Sequence, residues 1–291
     1  MKIFDCTTYF SEDMLMDLRF NVLDKFVHKF IVIESIFSHS GKKKGLNFDI
    51  NNFPKFKDKI IYKVIEKEPI GLVNADCPAN KRFNSIKRIE QSYEYMKNGI
   101  DQASENDLII LSDNDEIPNL ESKQFQNTSK DIILFKQLFF YYKFNLLYDK
   151  VKWFGSKACK KKNLKSFAWL RNIKNKKYPS WRIDTYFSKL KYIDIEIIEP
   201  GGWHFTNIKT PQDLFIKMSN FGHHDEFELS GLTVEDIKKK INDKKVFYNH
   251  YSDKSNLNKW KNNDSLEMIN LKLLPDYLQK NKDKYQNWWA V

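Results

Sequence analysis

The 291-residue chain lacks the paired cysteines that would specify a disulfide framework or a cysteine metal site. Its three cysteines, Cys6, Cys77 and Cys159, stand far apart, and no C-x-x-C occurs. The chain also lacks an apolar run long enough to span a bilayer, and its first residues contain no signal-peptide core. We therefore expect a soluble, cytoplasmic protein without a transmembrane segment.

Two nucleotide-binding signatures are missing as well. Neither G-x-G-x-x-G nor a Walker A motif is present, so dinucleotide-binding and P-loop proteins have no support in the sequence. The net charge is +11, but the lysines are dispersed and only 160–162 and 238–240 form tight runs. Dispersed charge is typical of solvated surfaces, so an anionic substrate is favoured over a nucleic-acid partner, which we do not expect.

The chain has enough apolar residues, 41%, to form a sizeable core. Strand-length apolar runs alternate with helical patterns as far as residue 118, which predicts an α/β fold with a mostly parallel sheet of the nucleotide-binding (Rossmann-like) type, flanked by helices. The predicted strands are 2–6, 30–33, 60–65 and 108–111. One helix is predicted to begin after Ser11, its cap, and a second is predicted to run from Asn80 to Ser104.

Beyond residue 118 the chain becomes rich in aromatic residues and predicts a smaller antiparallel extension. Further strands are predicted at 132–142, 152–159, 181–187 and 193–198, and further helices begin at Thr210 and Thr233. We expect one domain at 1–250, with a first half at 1–118 and a second half at 119–250. A helical C-terminal tail, 251–291, is expected to pack on this domain.

The segment D-L-I-I-L-S-D-N-D-E-I-P, 107–118, predicts a binding site at the end of a buried strand. Asp113, Asp115 and Glu116 follow the apolar run, and Pro118 indicates that the sheet ladder ends there. Ligands of open α/β sheets bind at the carboxyl ends of strands, and carboxylate oxygens suit Mg²⁺ or Mn²⁺. The alternative is a solvated turn.

Two later segments also carry candidate ligands. In E-P-G-G-W-H-F-T, His204 is predicted in a glycine turn, either as a metal or phosphate ligand or as a histidine satisfied by local hydrogen bonds. In F-G-H-H-D-E-F, His223, His224, Asp225 and Glu226 form a polar cluster. That cluster predicts a metal site or a general base, or else a helix C-terminus with a solvated tail.

Several blocks, taken together and in order, resemble glycosyltransferase family 17, the β-1,4-N-acetylglucosaminyltransferase type. They are D-L-R-F at 17–20, F-I-V-I-E-S at 30–35, S-G-K-K-K at 40–44, D-N-D-E-I-P at 113–118, W-F-G-S-K-A at 153–158, G-G-W-H-F-T at 201–206 and F-I-K-M at 215–218. The resemblance implies a GT-A-like fold and inverting, metal-dependent transfer from a nucleotide sugar, UDP-N-acetylglucosamine, to a glycan. Asp113 and Asp115 match the family's D-x-D, and His204 matches the histidine of its G-W-H.

The resemblance and the chemistry of the residues together assign candidate roles. The metal ligands for Mn²⁺ or Mg²⁺ are Asp113, Asp115 and His204; the donor contacts are Glu34, Arg88 and Asp113, with Arg82 as a further cation. Inverting transfer also needs a carboxylate that removes the acceptor proton. The candidates for this base are, in order, Glu226, Asp225 and Asp184.

Two other functions remain open at this stage. A metal-dependent hydrolase of sugar nucleotides or phosphate esters would use the same acids and histidines, and would release free sugar whatever the acceptor. A nucleic-acid-binding module would account for the charge and would show steep salt dependence, although no binding motif is present.

Overall fold

The computed structural model describes residues 1–221, 224–250, 260 and 262–291. The strands are β1 Ile3–Tyr9, β2 Lys29–Ser35, β3 Ile60–Ile65, β4 Leu108–Ser112, β5 Glu116–Pro118, β6 Ile132–Tyr141, β7 Leu146–Leu147, β8 Trp153–Lys160, β9 Glu196–Ile198, β10 Gly202–Thr206 and β11 Glu267–Met268. The α-helices are α1 Asp13–Leu23, α2 Pro78–Glu94, α3 Lys123–Asn127, α4 Phe167–Asn172, α5 Asp184–Phe187, α6 Pro211–Asn220, α7 His224–Ser230, α8 Val234–Asn242 and α9 Asp276–Lys280.

Strands β3, β2, β1 and β4 are neighbours in that order, and all of them run parallel. Every residue of β4 is buried, as its unbroken apolar sequence predicts for a strand covered on both faces. Leu108 and Ile110 join one apolar cluster, while Ile109 and Leu111 join a second. Helix α1 supplies residues to the first cluster and α2 to the second. The predicted α/β fold, with helices flanking the sheet, is confirmed.

The antiparallel extension is built around the long strand β6. β8 pairs antiparallel with both β4 and β6, while β9 and β10 pair parallel with β6. β11, near the C-terminus, pairs with β7. One mixed sheet therefore joins the parallel part of the chain to the aromatic-rich part.

Among the described residues, the helices are too short or too polar to span a membrane.

The prediction that Pro118 ends the ladder is wrong. Residues 116–118 form β5, which pairs antiparallel with β10 and places Pro118 opposite Gly202. Proline is tolerated at the end of an edge strand. Gly202 has φ of +121°, and a Cβ there would lie 2.2 Å from the carbonyl oxygen of Ile117. Only glycine allows these two strands to approach so closely.

Three local predictions also need correction. Residues 181–187 form turns and the short helix α5, because their exposed aromatic side chains have no neighbouring strand to pair with in the described chain. Helix α2 ends at Glu94 and continues only as a 3₁₀ turn to Gly99, which packs against Ile31. The N-cap of α1 is Glu12 rather than Ser11, and the Glu12 side chain makes no capping hydrogen bond, because its carboxylate accepts instead from the preceding amides of Phe10 and Ser11.

Candidate functional site

A cavity of about 490 Å³ opens at the carboxyl ends of β1, β2 and β4. The ends of parallel strands meet at one edge of the sheet, so residues distant in sequence line this cavity. Its charged lining residues are Glu12, Lys44, Arg82, Glu90, Asp113, Asp115, Arg171 and Lys217. The wall therefore carries carboxylates and cations side by side.

Residues 113–116, the acidic loop, are anchored from below by a buried arginine. Arg19 of α1 is fully buried and donates from Nε and Nη2 to the Asp5 carboxylate at 2.7 and 2.5 Å. Its Nη1 also donates to the backbone carbonyl of Glu116. The arginine of the D-L-R-F block thus ties α1 and β1 to the loop that carries the candidate ligands.

Asp113 has both carboxylate oxygens engaged. The Tyr93 hydroxyl donates to Oδ1 at 2.7 Å, and Arg171 Nη2 donates to Oδ2 at 2.7 Å. Burial raises the pKa of Tyr93, which therefore remains a donor. Asp113 is consequently fixed in position at the cavity wall by α2 and α4.

Asp115 lies between an imidazole and an ammonium group. Its Oδ1 is 3.2 Å from His204 Nε2, and its Oδ2 is 3.4 Å from Lys217 Nζ. Burial raises the pKa of this carboxyl, but His204 and Lys217 outweigh burial and hold the pKa well below its ordinary value. Asp115 is thus an ionised, buried carboxylate.

Glu116 points away from solvent into a polar pocket beneath the loop. Trp153 Nε1 donates to its Oε1 at 2.9 Å, and the amide of Asp113 donates to its Oε2 at 2.9 Å. Burial, and then the neighbouring Asp113, raise its pKa above the ordinary value. A Cβ on Gly155 would lie 2.5 Å from the Glu116 carboxyl carbon, so the glycine of W-F-G-S-K-A makes room for this side chain.

His204 lies in the strand β10, so its predicted placement in a turn is wrong. The glycines before it allow β10 to pair with β5, and this pairing sets His204 opposite Glu116. Its ring stacks on Trp153 with centroids 4.6 Å apart and meets the edge of Phe139 at 4.5 Å. Its buried Nδ1 has no hydrogen-bond partner among the described residues.

The donor atoms of Asp115 and His204 suit a divalent cation. No group of three or more His, Cys, Asp or Glu side chains forms a ready-made cage within the part of the chain that the structure describes. Mg²⁺-type sites, however, commonly use one or two protein ligands and take the remainder from substrate phosphates and water. Asp115 lines the cavity, and its Oδ1 lies 3.2 Å from Nε2 of the buried His204, so the two side chains offer one oxygen and one nitrogen to such a shared site.

The two predicted donor contacts outside the acidic loop lie behind the cavity wall. The buried Glu34 accepts from Lys44 Nζ, from the amides of Asn47 and Phe48, and from the Tyr62 hydroxyl. Its carboxylate thus holds the loop after β2 in place. Arg88 forms two hydrogen bonds with Glu68 and a third with the carbonyl of His39, bracing the same loop. Arg82, by contrast, lines the cavity.

The three candidate bases occupy different places. Asp225 and Glu226 are in the first turn of α7, so the H-H-D-E string begins a helix rather than ending one; His223 lies outside the described residues. Asp225 is buried, and its Oδ1 has no partner among the described residues. Glu226 lies near enough to Tyr248 to affect its hydroxyl: burial and then the Glu226 carboxylate raise the pKa of Tyr248, and Arg82 lowers that pKa. Asp184 is partly exposed on α5 and bonded to Arg182 and Lys191, and none of the three carboxylates lines the cavity.

Sequence reasoning missed Arg171, and it noted Lys217 only as part of a resemblance block. A usable signal was the scarcity of arginine. The chain has five arginines against many lysines, and the ion pairs with carboxylates among the described residues include those of Arg19, Arg88, Arg171 and Arg182. Arginine retained in a lysine-rich chain marks sites that need a planar, multiply donating cation.

The structure is that of an α/β protein with a cavity at the ends of its parallel strands. The family model described as glycosyltransferase family 17 matches residues 1–288, and the chain belongs to that family. It is therefore a glycosyltransferase, and its reaction involves a sugar donor and an acceptor. A search among curated proteins finds no relative that matches the chain.

Solved structures show only a weak likeness. A putative glucose-1-phosphate thymidylyltransferase from Bacillus anthracis is 13% identical, with 68% of this chain and 87% of that chain covered and a TM-score of 0.33. An inositol-1-phosphate CTP transferase from T. maritima is 14% identical, with 74% and 96% covered and a TM-score of 0.33. At these scores the likeness carries no argument about substrate or mechanism.

Proposed function

We propose that this glycosyltransferase moves N-acetylglucosamine from UDP-N-acetylglucosamine to a hydroxyl of a glycan, with inversion and with the help of Mn²⁺ or Mg²⁺. The observation that carries the proposal is the cavity at the strand ends, which Asp115 and Lys217 line and where the buried His204 contacts Asp115 from behind the lining. The family membership supplies the reaction class. The identity of the donor sugar, the use of a metal and the inversion are proposed in addition to that reaction class.

The cations of the cavity suit a diphosphate leaving group. Lys44, Arg82, Arg171 and Lys217 line it from four different parts of the chain. When the sugar departs, negative charge builds up on the nucleotide, and fixed cations in a partly enclosed site stabilise that charge. Arg171 is already held in place by Asp113, so the protein loses little freedom in presenting it.

Asp115 and His204 would hold the divalent cation, and Lys217 would keep the Asp115 carboxylate ionised. When bound, such a cation supplies Lewis-acid assistance to the departing diphosphate. Asp113, held by Tyr93 and Arg171, would face the donor at the same wall. The stacking of His204 on Trp153 fixes its ring orientation, so its donor atom is preorganised.

For the base that takes the proton of the acceptor hydroxyl, we now place Asp225 ahead of Glu226, the first choice of the sequence analysis. A base must accept a proton, and Asp225 has a buried oxygen without a partner among the described residues. Glu226, in the same helical turn, is the second choice. Asp184 is third, because two cations engage it and hold the pKa of its carboxyl at about 2.

The donor half of the proposal is tested by calorimetric titration with UDP and UDP-N-acetylglucosamine, with and without Mn²⁺. We expect Mn²⁺-dependent binding that Asp115→Asn and His204→Gln each weaken by about 10- to 100-fold, the usual effect of disturbing a metal site. Asp184→Asn is the matched control, since it removes one carboxylate charge outside the cavity. Equal affinities in all four proteins would refute the assignment of the site.

The base is tested by transfer assays on Asp225→Asn and Glu226→Gln, each with its donor affinity measured separately. Loss of the acceptor's base should lower the transfer rate by about 10²–10⁴-fold while donor binding stays unchanged. Free sugar and transferred sugar must be counted separately. Release of free sugar at the same rate with and without acceptor would favour the hydrolase and contradict the transfer reaction.

A further inference from the structure

Four large apolar side chains stand exposed within seven residues of one another. Trp181, Ile183, Tyr186 and Phe187 are exposed by 79, 73, 67 and 85%. The other large apolar side chains that are exposed in the described chain are spread over many segments. Soluble proteins rarely gather such side chains without an interaction that covers them.

Hydrogen bonds hold the residues on both sides of the segment 181–187, the exposed aromatic segment. The amide of Lys174 donates to the carbonyl of Leu190 at 2.9 Å, and Trp169 Nε1 donates to the carbonyl of Lys189 at 2.9 Å. Within the segment, the Tyr186 hydroxyl donates to the carbonyl of Ser180 at 3.0 Å. The exposure of the aromatic rings is thus part of an ordered structure.

Positive charge surrounds this segment. Residues 173–193 contain six cations, Lys174, Lys176, Lys177, Arg182, Lys189 and Lys191, and one acid, Asp184. Arg182 and Lys191 both bond to that acid, whereas the other four lysines are exposed to solvent. An excess of lysine is unlike a protein–protein interface, where lysine is depleted.

We propose that residues 174–191 dock on an anionic lipid bilayer. Tryptophan, tyrosine and phenylalanine suit the boundary between headgroups and acyl chains, and lysines around them suit anionic headgroups. The surface would bind peripherally and reversibly. The segment follows α4, whose Arg171 lines the cavity, so docking would bring the catalytic part of the molecule to the lipid surface. The inference goes beyond the proposed transfer reaction and does not depend on it.

The test is co-sedimentation of the full chain with phosphatidylcholine vesicles, with and without phosphatidylglycerol, at low and high salt. We expect binding only to the anionic vesicles, weakened by salt. Trp181→Ser with Phe187→Ser should reduce the partition coefficient at least about tenfold, since it removes two interfacial anchors. Ile70→Ser with Leu273→Ser is the matched control, because both of those residues are exposed elsewhere, and it should leave binding unchanged.

The charge contribution has its own matched pair. Lys176→Glu with Lys177→Glu should abolish binding, whereas Lys238→Glu with Lys239→Glu, an exposed pair on α8 with the same change in net charge, should retain most of it. If the two charge variants lose vesicle binding equally, the proposal is overturned, because the net positive charge of the protein rather than this segment would then cause the binding. Absence of binding by the unaltered protein would also overturn it, as would self-association that the Trp181 and Phe187 substitutions abolish. Thermal melting of each variant verifies that it is folded.

Discussion

Replacing Arg19 by methionine should destabilise the protein more than the loss of any exposed ion pair. Arg19 and Asp5 are both fully buried, and two hydrogen bonds join them. Removal of one partner of a buried ion pair leaves an uncompensated charge, which costs about 3–5 kcal/mol. That cost is a large part of the roughly 5–15 kcal/mol by which folded proteins are stable.

Urea unfolding followed by circular dichroism at constant pH measures this effect directly. At about 2–4 °C of Tm per kcal/mol, Arg19→Met should also melt roughly 6–20 °C below the unaltered protein. Lys284→Met is the control, since Lys284 lies outside α1 and is half exposed but pairs with Asp17 of that helix. Its loss should cost less than about 1 kcal/mol.

A second variant separates lost pairing from lost packing. Arg19→Met combined with Asp5→Leu removes both charges, so it should recover much of the stability that either single change loses. Recovery should be incomplete, because Arg19 also donates to the carbonyl of Glu116. A single variant within 1 kcal/mol of the unaltered protein, or a double variant as unstable as the sum of the singles, would refute this reasoning.

Three further predictions test the surroundings of the site. Gly155→Ala should lower the free energy of unfolding in urea by about 1–3 kcal/mol, because the added Cβ would lie 2.5 Å from the Glu116 carboxyl carbon. Gly45→Ala, which has open space around it, should lower it by no more than a few tenths of a kcal/mol. Equal losses in the two variants would contradict the steric argument. Burial lowers the pKa of Lys157 to about 7. Between pH 7 and about 10 the unfolded chain therefore binds more protons than the folded protein does, so the free energy of unfolding should rise with pH. The rise should exceed that of Lys157→Met by up to about 4 kcal/mol. Parallel pH curves for those two proteins would show that the lysine is not shifted. Tyr93→Phe removes the hydroxyl bond to the first aspartate of the acidic loop and should cost about 1.5–3 kcal/mol, and an unchanged unfolding midpoint would refute a structural role for that bond.

Local patterns in the sequence predicted the parts of the fold that local physics controls. The apolar run at 108–111 became the buried strand β4, and 60–65 became β3 with the same bounds. Thr210 caps α6 through the amide of Asp213, and Thr233 forms a capping box at α8. These features depend on neighbours along the chain, so composition and spacing were sufficient to place them.

Segments whose conformation depends on distant partners were predicted less well. The aromatic composition of 181–187 resembles a strand, but in the described structure no neighbouring strand completes it. Pro118 was expected to end pairing, yet Gly202, far along the chain, allows β5 to pair with β10. The division into domains and the roles of the site residues stay predictions.

The sequence alone determined the α/β alternation, the acidic loop at a strand end and the order of the family's blocks. Tertiary structure alone decided which side chains meet there. Lys217 reaches Asp115 across 102 residues of sequence, and Arg171 reaches Asp113 across 58. The physical reason is that parallel strands place their carboxyl ends together at one edge of the sheet, whatever the length of chain between them. Spacing along the sequence carries no record of that proximity, so the cations that accompany the acids emerge only from the fold.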